Sequence, residues 1–401
     1  MRLLLPYNTQ SLPVSFYSDF HTGIAEAALE LGHKTLRLDI ADGAQASAAE
    51  RDALYRALTA RRCDAVIDLC CWGLGFSRIT VWDGSKSGEP LFDSLDMAYM
   101  GLLLDQPWFQ PLPGVSASRL YAAVPDRNHA EQIALIYPGV RLRGTAFAPP
   151  AVHSVNDRSR PWNERDIDVL FVGHLQRDAL ATSEHRRWPD GCAALCEATV
   201  ETALAAPDEP LHVALLSAAR SSGTALEGAA GTATVLEALR AVEPYLRARH
   251  RLEAVRAAAG SRAGIHVVGL GWDATELPGN VIRHAPTDYA GFFDMAGRAR
   301  LCLDVSSYPD GANDRVFSYS LNRAVCLTNA AGYLRDAYAG TGAMQFCSPA
   351  QPAALAASIS ALLADTHGLR DMGDAGRRFT LDHQNWRVRL QAMLDCLAAN
   401  P

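Results

Sequence analysis

The sequence predicts an α/β protein built from two doubly wound, Rossmann-like domains, and three observations support this fold class. Short apolar strands alternate with helices along the chain, which is typical of parallel sheets covered by helices on both faces. The chain has 401 residues, more than a single hydrophobic core usually holds. The stretch Ala148–Asn163 is rich in proline and polar residues and lacks any periodicity, so it is the best domain boundary. We therefore expect domains over residues 1–155 and 156–380, followed by a helical segment over 381–401.

The N-terminal half begins with a predicted β-α-β unit. Leu3–Pro6 is expected to be a strand, a polar loop should extend to Thr22, and a helix should then lead to a second strand at Thr35–Ile40. A further helix leads into an apolar strand that ends at Leu69. Because ligands bind beyond the carboxyl ends of parallel strands, the loops after the first and third strands are where we expect chemistry.

The first of these loops contains two candidate catalytic residues, Asp19 and His21. A neutral imidazole or a carboxylate there could take a proton from an acceptor hydroxyl. Alternatively, Asp19 or Thr22 caps the next helix and His21 lies on the surface. Asp105 and His129 follow later strand-like runs and are either acceptor-site groups or caps and turn residues.

The C-terminal half is predicted to contain about six strands, which makes it a second doubly wound domain. The strands are predicted at Ile167–Val172, Leu211–Leu216, Ile265–Gly271, Asn280–His284, Leu301–Val305 and at the end of Leu301–Asn329. Residues 232–259 should be helical with a break at Pro244. The final helix should bury one apolar face that carries Trp386, Leu390, Met393 and Leu397.

The stretch Leu301–Asn329 indicates an anion-binding corner. It contains a strand, a turn rich in Asp, Gly and Asn, a short amphipathic helix and a second strand. Unpaired N–H groups and the dipole at a helix N-terminus attract an anion, and Arg315 in the first helical turn adds a cationic fork for phosphate. The alternative is an ordinary βαβ unit in which Arg315 is a solvated charge. Gly173, His174 and Arg177 form a similar strand-to-helix turn after Ile167–Val172.

Composition excludes several classes of function. The net charge of −7 provides no basic field, so we do not expect nucleic acid as a main partner, although a local basic patch for anionic lipids remains compatible with it. With no run of eighteen apolar residues and no signal-peptide core, we expect a cytoplasmic protein with at most peripheral membrane contact. Cys192 and Cys196 can share a helix face, but no nearby His or Cys pair completes a zinc site, so no metal is predicted.

Several segments together resemble the spore-maturation-protein-like glycosyltransferases, in an order and spacing that are fairly specific. In the C-terminal half they are Ile265–Trp272 (IHVVGLGW), Asn280–Tyr289 (NVIRHAPTDY), Gly311–Phe317 (GANDRVF) and Leu381–Leu394 (LDHQNWRVRLQAML). The N-terminal half is similar more loosely, through Asp105–Pro107 and Asp126–His129.

The resemblance implies a GT-B glycosyltransferase, in which two Rossmann-like domains face a cleft and the last helix crosses back to the N-terminal domain. Such an enzyme moves a sugar from a nucleotide-sugar donor, held by the C-terminal domain, to an acceptor presented by the N-terminal domain. No cofactor is implied, and the acceptor stays open as a glycan, a lipid-linked glycan, a protein or a small molecule. Candidate donor-binding residues are Gly173, His174, Arg177, Trp272, His284, Tyr289, Asp310, Gly311, Asn313, Arg315 and Ser318.

By this analogy His284 and Tyr289 lie near the base and ribose, whereas Asn313 and Arg315 lie near the diphosphate. Their alternative role is to pack a strand end and a helix start against the sheet. The chain departs from the family at Ser318, where an acidic residue is common and would hold a sugar or ribose hydroxyl more strongly.

The mechanism expected from these residues needs no metal. Arg315, a helix N-terminus and Arg177 would stabilise the leaving nucleoside diphosphate. An inverting enzyme needs a base such as His21 or Asp19, whereas in a retaining enzyme the leaving phosphate can take the proton. Two other functions are compatible with the sequence: a nucleotide-sugar epimerase and a sugar-nucleotide-binding protein without turnover.

Overall fold

The computed structural model describes residues 1–7, 15–39, 48–71, 80–82, 87–184, 188–329, 332–348 and 351–400. The chain forms two compact units, one made of Met1–His153 with Asn385–Pro401 and the other of Ser154–Gln384. Each unit contains a six-stranded sheet in which every neighbouring pair of strands is parallel. The predicted fold class, two doubly wound α/β domains, is confirmed.

The N-terminal unit has the strand order β2-β1-β3-β6-β7-β8, with an antiparallel hairpin of β4 and β5 beside the sheet. Its strands are β1 (Arg2–Tyr7), β2 (Lys34–Asp39), β3 (Ala65–Leu69), β4 (Thr80–Trp82), β5 (Ser87–Pro90), β6 (Ala98–Leu102), β7 (Leu120–Val124) and β8 (Gly144–Phe147). Its helices are α1 (Ser15–Glu30), α2 (Ala48–Arg61), α3 (Leu91–Ser94), α4 (His129–Ile136) and, from the end of the chain, α14 (Trp386–Ala399).

The C-terminal unit has the strand order β11-β10-β9-β12-β13-β14. Its strands are β9 (Ile167–Val172), β10 (Ile265–Val268), β11 (Val281–His284), β12 (Ala299–Asp304), β13 (Val325–Thr328) and β14 (Gln345–Phe346). Its helices are α5 (Arg177–Glu184), α6 (Ala193–Ala205), α7 (Leu211–Ser222), α8 (Gly228–Ala259), α9 (Tyr289–Arg298), α10 (Asp314–Leu321), α11 (Gly332–Ala337), α12 (Pro352–Ala364) and α13 (Thr366–His383). Counted from β9, this is the strand order of dinucleotide-binding folds, whose ligands bind where the order reverses, here between β9 and β12.

The first correction to the sequence prediction concerns α1, which begins at Ser15 rather than near Gly23. Asp19 and His21 therefore lie on a helix and not in the predicted loop. Gly23 suggested a helix boundary, but here it is a packing glycine. A Cβ at this position would lie 2.1 Å from Cδ1 of Trp386, so the absence of a side chain lets α14 pack against the middle of α1.

Two further corrections lie between β9 and β10. The predicted strand Leu211–Leu216 is the first half of helix α7, because the apolar run continues at helical spacing and Gly223 then ends the helix in a left-handed conformation (φ +68°). The predicted break at Pro244 is also wrong, since α8 continues through this residue. Packing of α8 against neighbouring helices outweighs the backbone hydrogen bond that the proline removes.

The apolar face predicted for the last helix is confirmed. Trp386, Leu390, Met393 and Leu397 are all buried within the N-terminal unit. The indole of Trp386 packs edge-on against Phe20 of α1, with ring centroids 5.0 Å apart. The end of the chain is thus part of the N-terminal core.

Candidate functional site

A buried carboxylate organises the point where the strand order of the C-terminal sheet reverses. Asp304 ends β12 and is 2% exposed. Its oxygens accept hydrogen bonds from Asn313 Nδ2 at 3.2 and 3.1 Å, from Arg315 Nε at 3.3 Å and from Thr328 Oγ1 at 3.4 Å. Asp304 therefore fixes the two residues that the sequence placed near a diphosphate.

Arg315 is held at the N-terminus of α10 through both its backbone and its side chain. Asn313 caps this helix by accepting a hydrogen bond from the Arg315 N–H at 3.0 Å. The Arg315 side chain is 25% exposed. Burial alone would lower the pKa of Arg315, but the neighbouring groups, led by the Asp304 carboxylate, together raise it above its ordinary value. Arg315 is a positioned cation rather than a freely solvated one.

The turn after β9 is locked in place by the glycines that follow β10. Gly269 and Gly271 have φ of +142° and +86°, and a Cβ at these positions would lie 2.4 Å from Gly173 O and 2.0 Å from Leu175 O. Only glycine permits this approach of two backbones. The buried indole of Trp272 donates a hydrogen bond to Gly173 O at 2.7 Å. Trp272, which was predicted to bind the donor, thus holds the turn after β9 in place through this hydrogen bond.

His174 presents a hydrogen-bond donor at this turn. Its Nδ1 accepts a hydrogen bond from the Leu270 N–H at 2.9 Å, so the neutral ring carries its proton on Nε2. Partial burial, followed by the charges of Arg251 and Arg315, lowers the pKa of His174 below its ordinary value. The ring is therefore neutral at pH 7, and its Nε2–H can donate to an anionic ligand.

Arg251 is a second cation at the site, and the sequence reasoning missed it. It lies on α8 and donates from Nη1 to His174 O at 2.7 Å. Burial, and next the charge of Arg315, lower its pKa to about 10, so it stays protonated at pH 7. Its buried Nε has no hydrogen-bond partner among the described residues.

A sequence signal for Arg251 was present. Counted in fours along α8, Glu243 and Arg251 belong to one stripe with Leu239 and all three are buried, as is Ala254 three residues further on. Charged residues on the buried side of a helix indicate a buried interaction, and here Arg251 contacts the turn after β9. The alanine-rich composition of the helix hid this pattern.

The geometry suits a ligand with two adjacent negative charges. The Asp304 carboxylate pairs with Arg315, Arg251 bonds only to a backbone oxygen among the described residues, and the start of α10 adds a partial positive charge. Planar guanidinium groups match the oxygens of phosphate. Because the cations are fixed before a ligand arrives, binding requires little reorganisation.

Two predicted nucleoside-binding residues lie on the β11 side of the same sheet. His284 Nε2 is 2.9 Å from Nδ1 of His266, and the two rings stack with centroids 5.0 Å apart. Tyr289 packs in stacked geometry on Phe292, with centroids 5.8 Å apart. β11 is separated from β9 by β10, hence by about 10 Å. A nucleoside attached to a diphosphate at β9 could span this distance, so the predicted role stays a prediction.

The remaining predicted donor-binding residues range from completely buried to exposed. Ser318 is completely buried, and its Oγ has no hydrogen-bond partner among the described residues, so the predicted contact with a ribose or sugar hydroxyl remains a prediction. Gly311 is buried, and Asp310 lies half-buried in the turn before α10. Arg177 is exposed at the first residue of α5.

In the N-terminal unit, His21 is buried rather than on the surface. It is 4% exposed and packs edge-on against Tyr7 at the end of β1, with centroids 5.1 Å apart. Burial, and then the charge of Arg37, lower its pKa from 6.5 to about 4. A neutral ring can accept a proton, but so low a pKa makes it a weak base at neutral pH. Asp19 is half-buried on the same helix.

Asp105 and His129 have structural contacts that fit the turn-residue alternative. Asp105 Oδ1 accepts a hydrogen bond from the backbone N–H of Gln106 at 2.8 Å. His129 is fully buried, with Nε2 3.1 Å from Gln106 Oε1. The contact between His129 and Gln106 connects the segments that follow β6 and β7.

Neither a metal-binding cluster nor a membrane-spanning helix is found in the parts of the chain that the structure describes. No three His, Cys, Asp or Glu residues there are grouped to hold a metal ion. The sulfur atoms of Cys192 and Cys196 lie 3.7 Å apart and both thiols are free. No described helix is long and apolar enough to cross a membrane.

Comparison with known proteins identifies one family and several structural neighbours. Residues 240–395 match the family described as "Glycosyl transferase-like". The chain matches no curated protein sequence. Its structure is similar to sucrose-phosphate synthase from Thermosynechococcus elongatus, with a TM-score of 0.53, 10% identity, and coverage of 100% of this chain and 98% of that one.

Two further neighbours have comparable scores. AviGT4, a glycosyltransferase involved in avilamycin A biosynthesis, gives a TM-score of 0.51 at 11% identity over 100% of this chain and 98% of that one. An alpha-glucosyltransferase in complex with UDP-glucose and DNA containing an abasic site gives a TM-score of 0.56 at 9% identity, covering 99% of each chain. At such low identities these likenesses show a shared fold, which is the GT-B pair of Rossmann-like domains.

Proposed function

We propose that this chain, which has the GT-B fold, is a glycosyltransferase that transfers a sugar from a nucleotide-sugar donor whose diphosphate binds between β9 and β12. The observation that carries this proposal is the pair of fixed arginines, Arg251 and Arg315, beside His174, whose Nε2–H can donate a hydrogen bond. We also propose that it is closest to the spore-maturation-protein-like members, on the basis of the four C-terminal segments.

The proposed chemistry depends on charge that develops on the leaving group. When the bond between the sugar and the nucleoside diphosphate breaks, negative charge accumulates on the diphosphate. Arg251, Arg315 and the N-terminus of α10 would stabilise that charge. These groups supply the positive charge from side chains and backbone, so the proposal includes no metal and no cofactor.

We assign acceptor binding to the N-terminal unit, again by the resemblance. Asp19 and His21 are its candidate bases if the anomeric carbon is inverted. With its pKa near 4, His21 favours a positioning role or a hydrogen-bond acceptor role over that of a strong base. The half-buried carboxylate of Asp19 then becomes the first residue to test as the base.

The experiment that tests the function is a donor panel. The protein is incubated with nucleotide sugars that differ in base and sugar, beginning with UDP-glucose because one structural neighbour binds it. Released nucleoside diphosphate and the state of the sugar are both measured. We expect release of nucleoside diphosphate with one donor and less release with Arg315→Ala.

Two other outcomes would contradict transfer. An altered sugar on an intact nucleotide would indicate an epimerase. Tight nucleotide-sugar binding with no turnover across plausible acceptors would indicate a binding protein. Neither outcome would affect the assignment of the diphosphate site, which is tested separately by affinity.

A further inference from the structure

A second basic site lies at the amino-terminal edge of the C-terminal sheet. It is a cavity of about 930 Å³. Its lining includes the side chains of Arg160, Arg300, Arg323, Arg370 and His367. No Asp or Glu is among the described residues that line it. A cavity of this size whose described lining contains four arginines and no carboxylate suits an anionic ligand of small-molecule size.

The topology places this cavity away from the donor site. Arg300 is the second residue of β12, and Arg323 lies two residues before β13, so both lie where strands begin. Asp304, at the other end of β12, is four residues from Arg300, which is about 13 Å along an extended strand. The two sites therefore use opposite edges of one sheet and do not share residues.

The cavity also borders the start of a helix, whose dipole is offset in part by the carboxylate that caps it. Thr366, His367 and Arg370 belong to the first turns of α13, an 18-residue helix, and all three line the cavity. Asp365 caps this helix by accepting a hydrogen bond from the Gly368 N–H at 2.9 Å. The dipole of a helix of this length favours an anion near its start.

Two carboxylates that do not line the cavity hold two of its arginines in place. Arg160 pairs with Asp294 at 2.8 Å, and Arg300 with Asp168 at 2.7 Å. A guanidinium has more N–H donors than one carboxylate accepts, so donors remain for a ligand. Arg370 has no ion-pair or hydrogen-bond partner among the described residues.

Arg323 has a backbone conformation that arginine rarely adopts. Its φ of +58° is left-handed, and it lies directly after the residue that caps the end of α10, where glycine or asparagine is preferred. Its Nε lies 3.3 Å from Asp374 Oδ1 but forms no hydrogen bond to any described residue. Residues in sparsely populated backbone conformations cluster at ligand and active sites.

We propose that this cavity binds a phosphate-bearing ligand, either a phosphorylated small molecule or the headgroup of an anionic phospholipid. Arg300, Arg323 and Arg370 would contact the phosphate, and the start of α13 would face it. The indole of Trp162, which also lines the cavity, provides an apolar wall for the rest of the ligand.

The test uses pyrophosphate binding to the full chain, measured by calorimetry. We expect two sites in the wild-type protein. Arg315→Ala should weaken one of them, the donor site. The double variant Arg323→Gly with Arg370→Gln should weaken the other by at least about tenfold and leave the first unchanged.

Two controls separate ligand binding from folding. Arg323→Gly places glycine at a left-handed position, so its melting temperature should be equal to or higher than that of the wild type. Arg378→Gln changes an exposed arginine of the same helix that does not line the cavity, and it should leave both sites intact. Loss of folding in the double variant would be resolved by testing Arg370→Gln alone.

The source of the phosphate is decided with lipid vesicles. Co-sedimentation with vesicles of equimolar phosphatidylcholine and phosphatidylglycerol, but not with phosphatidylcholine alone, would identify a lipid headgroup if Arg370→Gln abolishes it. Pyrophosphate binding at the second site without vesicle binding would identify a soluble ligand. The proposal is overturned if the double variant binds pyrophosphate as the wild type does, whether one site or two are found.

Discussion

The carboxyl edges of the two sheets differ in whether the side chains found there are charged or neutral. In the C-terminal unit, hydrogen bonds hold Arg315 against the buried Asp304 carboxylate, and Arg251 against the backbone oxygen of His174, before any ligand arrives. In the N-terminal unit, the imidazole of His21 is buried and kept neutral, with its Nδ1 unpartnered among the described residues. This difference fits the two halves of a glycosyl transfer, since the leaving diphosphate needs fixed positive charge and an acceptor hydroxyl needs an uncharged environment that can accept a proton.

The largest effect is expected from removing the carboxylate that organises the cationic site. Asp304→Ala leaves Arg315 without its buried partner and should lower the free energy of unfolding of the C-terminal unit by about 3 kcal/mol. Chemical denaturation measures this change. As a matched control, Asp168→Ala removes a pair with Arg300 in which the side chains are 39% and 35% exposed. Asp168→Ala should lower the free energy of unfolding by less than about 1 kcal/mol. Equal losses in the two variants would show that the Asp304 pair stabilises the fold no more than an exposed ion pair does.

The next effect concerns the neutral histidine and its dependence on pH. The pKa of His21 is about 4 in the folded chain against an ordinary value of 6.5, so the unfolded chain binds more protons between these values. The stability that neutral His21 contributes is complete above pH 6.5 and is lost as the pH falls towards 4, by about 3 kcal/mol in all.

His21→Gln should flatten this pH dependence, as followed by thermal unfolding between pH 4 and pH 7. His367, with an 86% exposed side chain, is the control, and His367→Gln should leave the slope unchanged. An unaltered slope in His21→Gln would mean that His21 is solvated and charged at acidic pH, which would remove the contrast between the two edges.

The smallest effect is expected at the residue where the chain departs from the family pattern. The Ser318 hydroxyl is buried and unpartnered among the described residues, so Ser318→Ala should change donor affinity by less than about 0.5 kcal/mol. Binding of the donor found in the panel measures this change. A loss above about 1 kcal/mol would show that the hydroxyl reaches the donor and that α10 moves when it binds.

Sequence reasoning reached the fold for identifiable physical reasons, whereas the roles it gave to the site residues stay predictions. Strand periodicity and glycine-containing turns are local signals, so the strands and the turns near Gly173 and Arg315 were visible without tertiary information. Arg251 was missed because its role arises from α8 packing against a turn about 77 residues earlier. His21 was placed in a loop because Gly23 suggested a helix start, whereas the contact of Gly23 with Trp386 at the far end of the chain permits the helix.

The most direct test of the central claim is the affinity of a nucleoside diphosphate for the wild type, Arg315→Ala and Arg251→Ala, measured by calorimetry on proteins with confirmed folds. The account predicts that Arg315→Ala weakens binding by about 1–3 kcal/mol and that Arg251→Ala also weakens it, whereas the exposed Arg378→Ala does not. Unchanged affinity in both arginine variants would contradict the assignment of the diphosphate to the turn between β9 and β12.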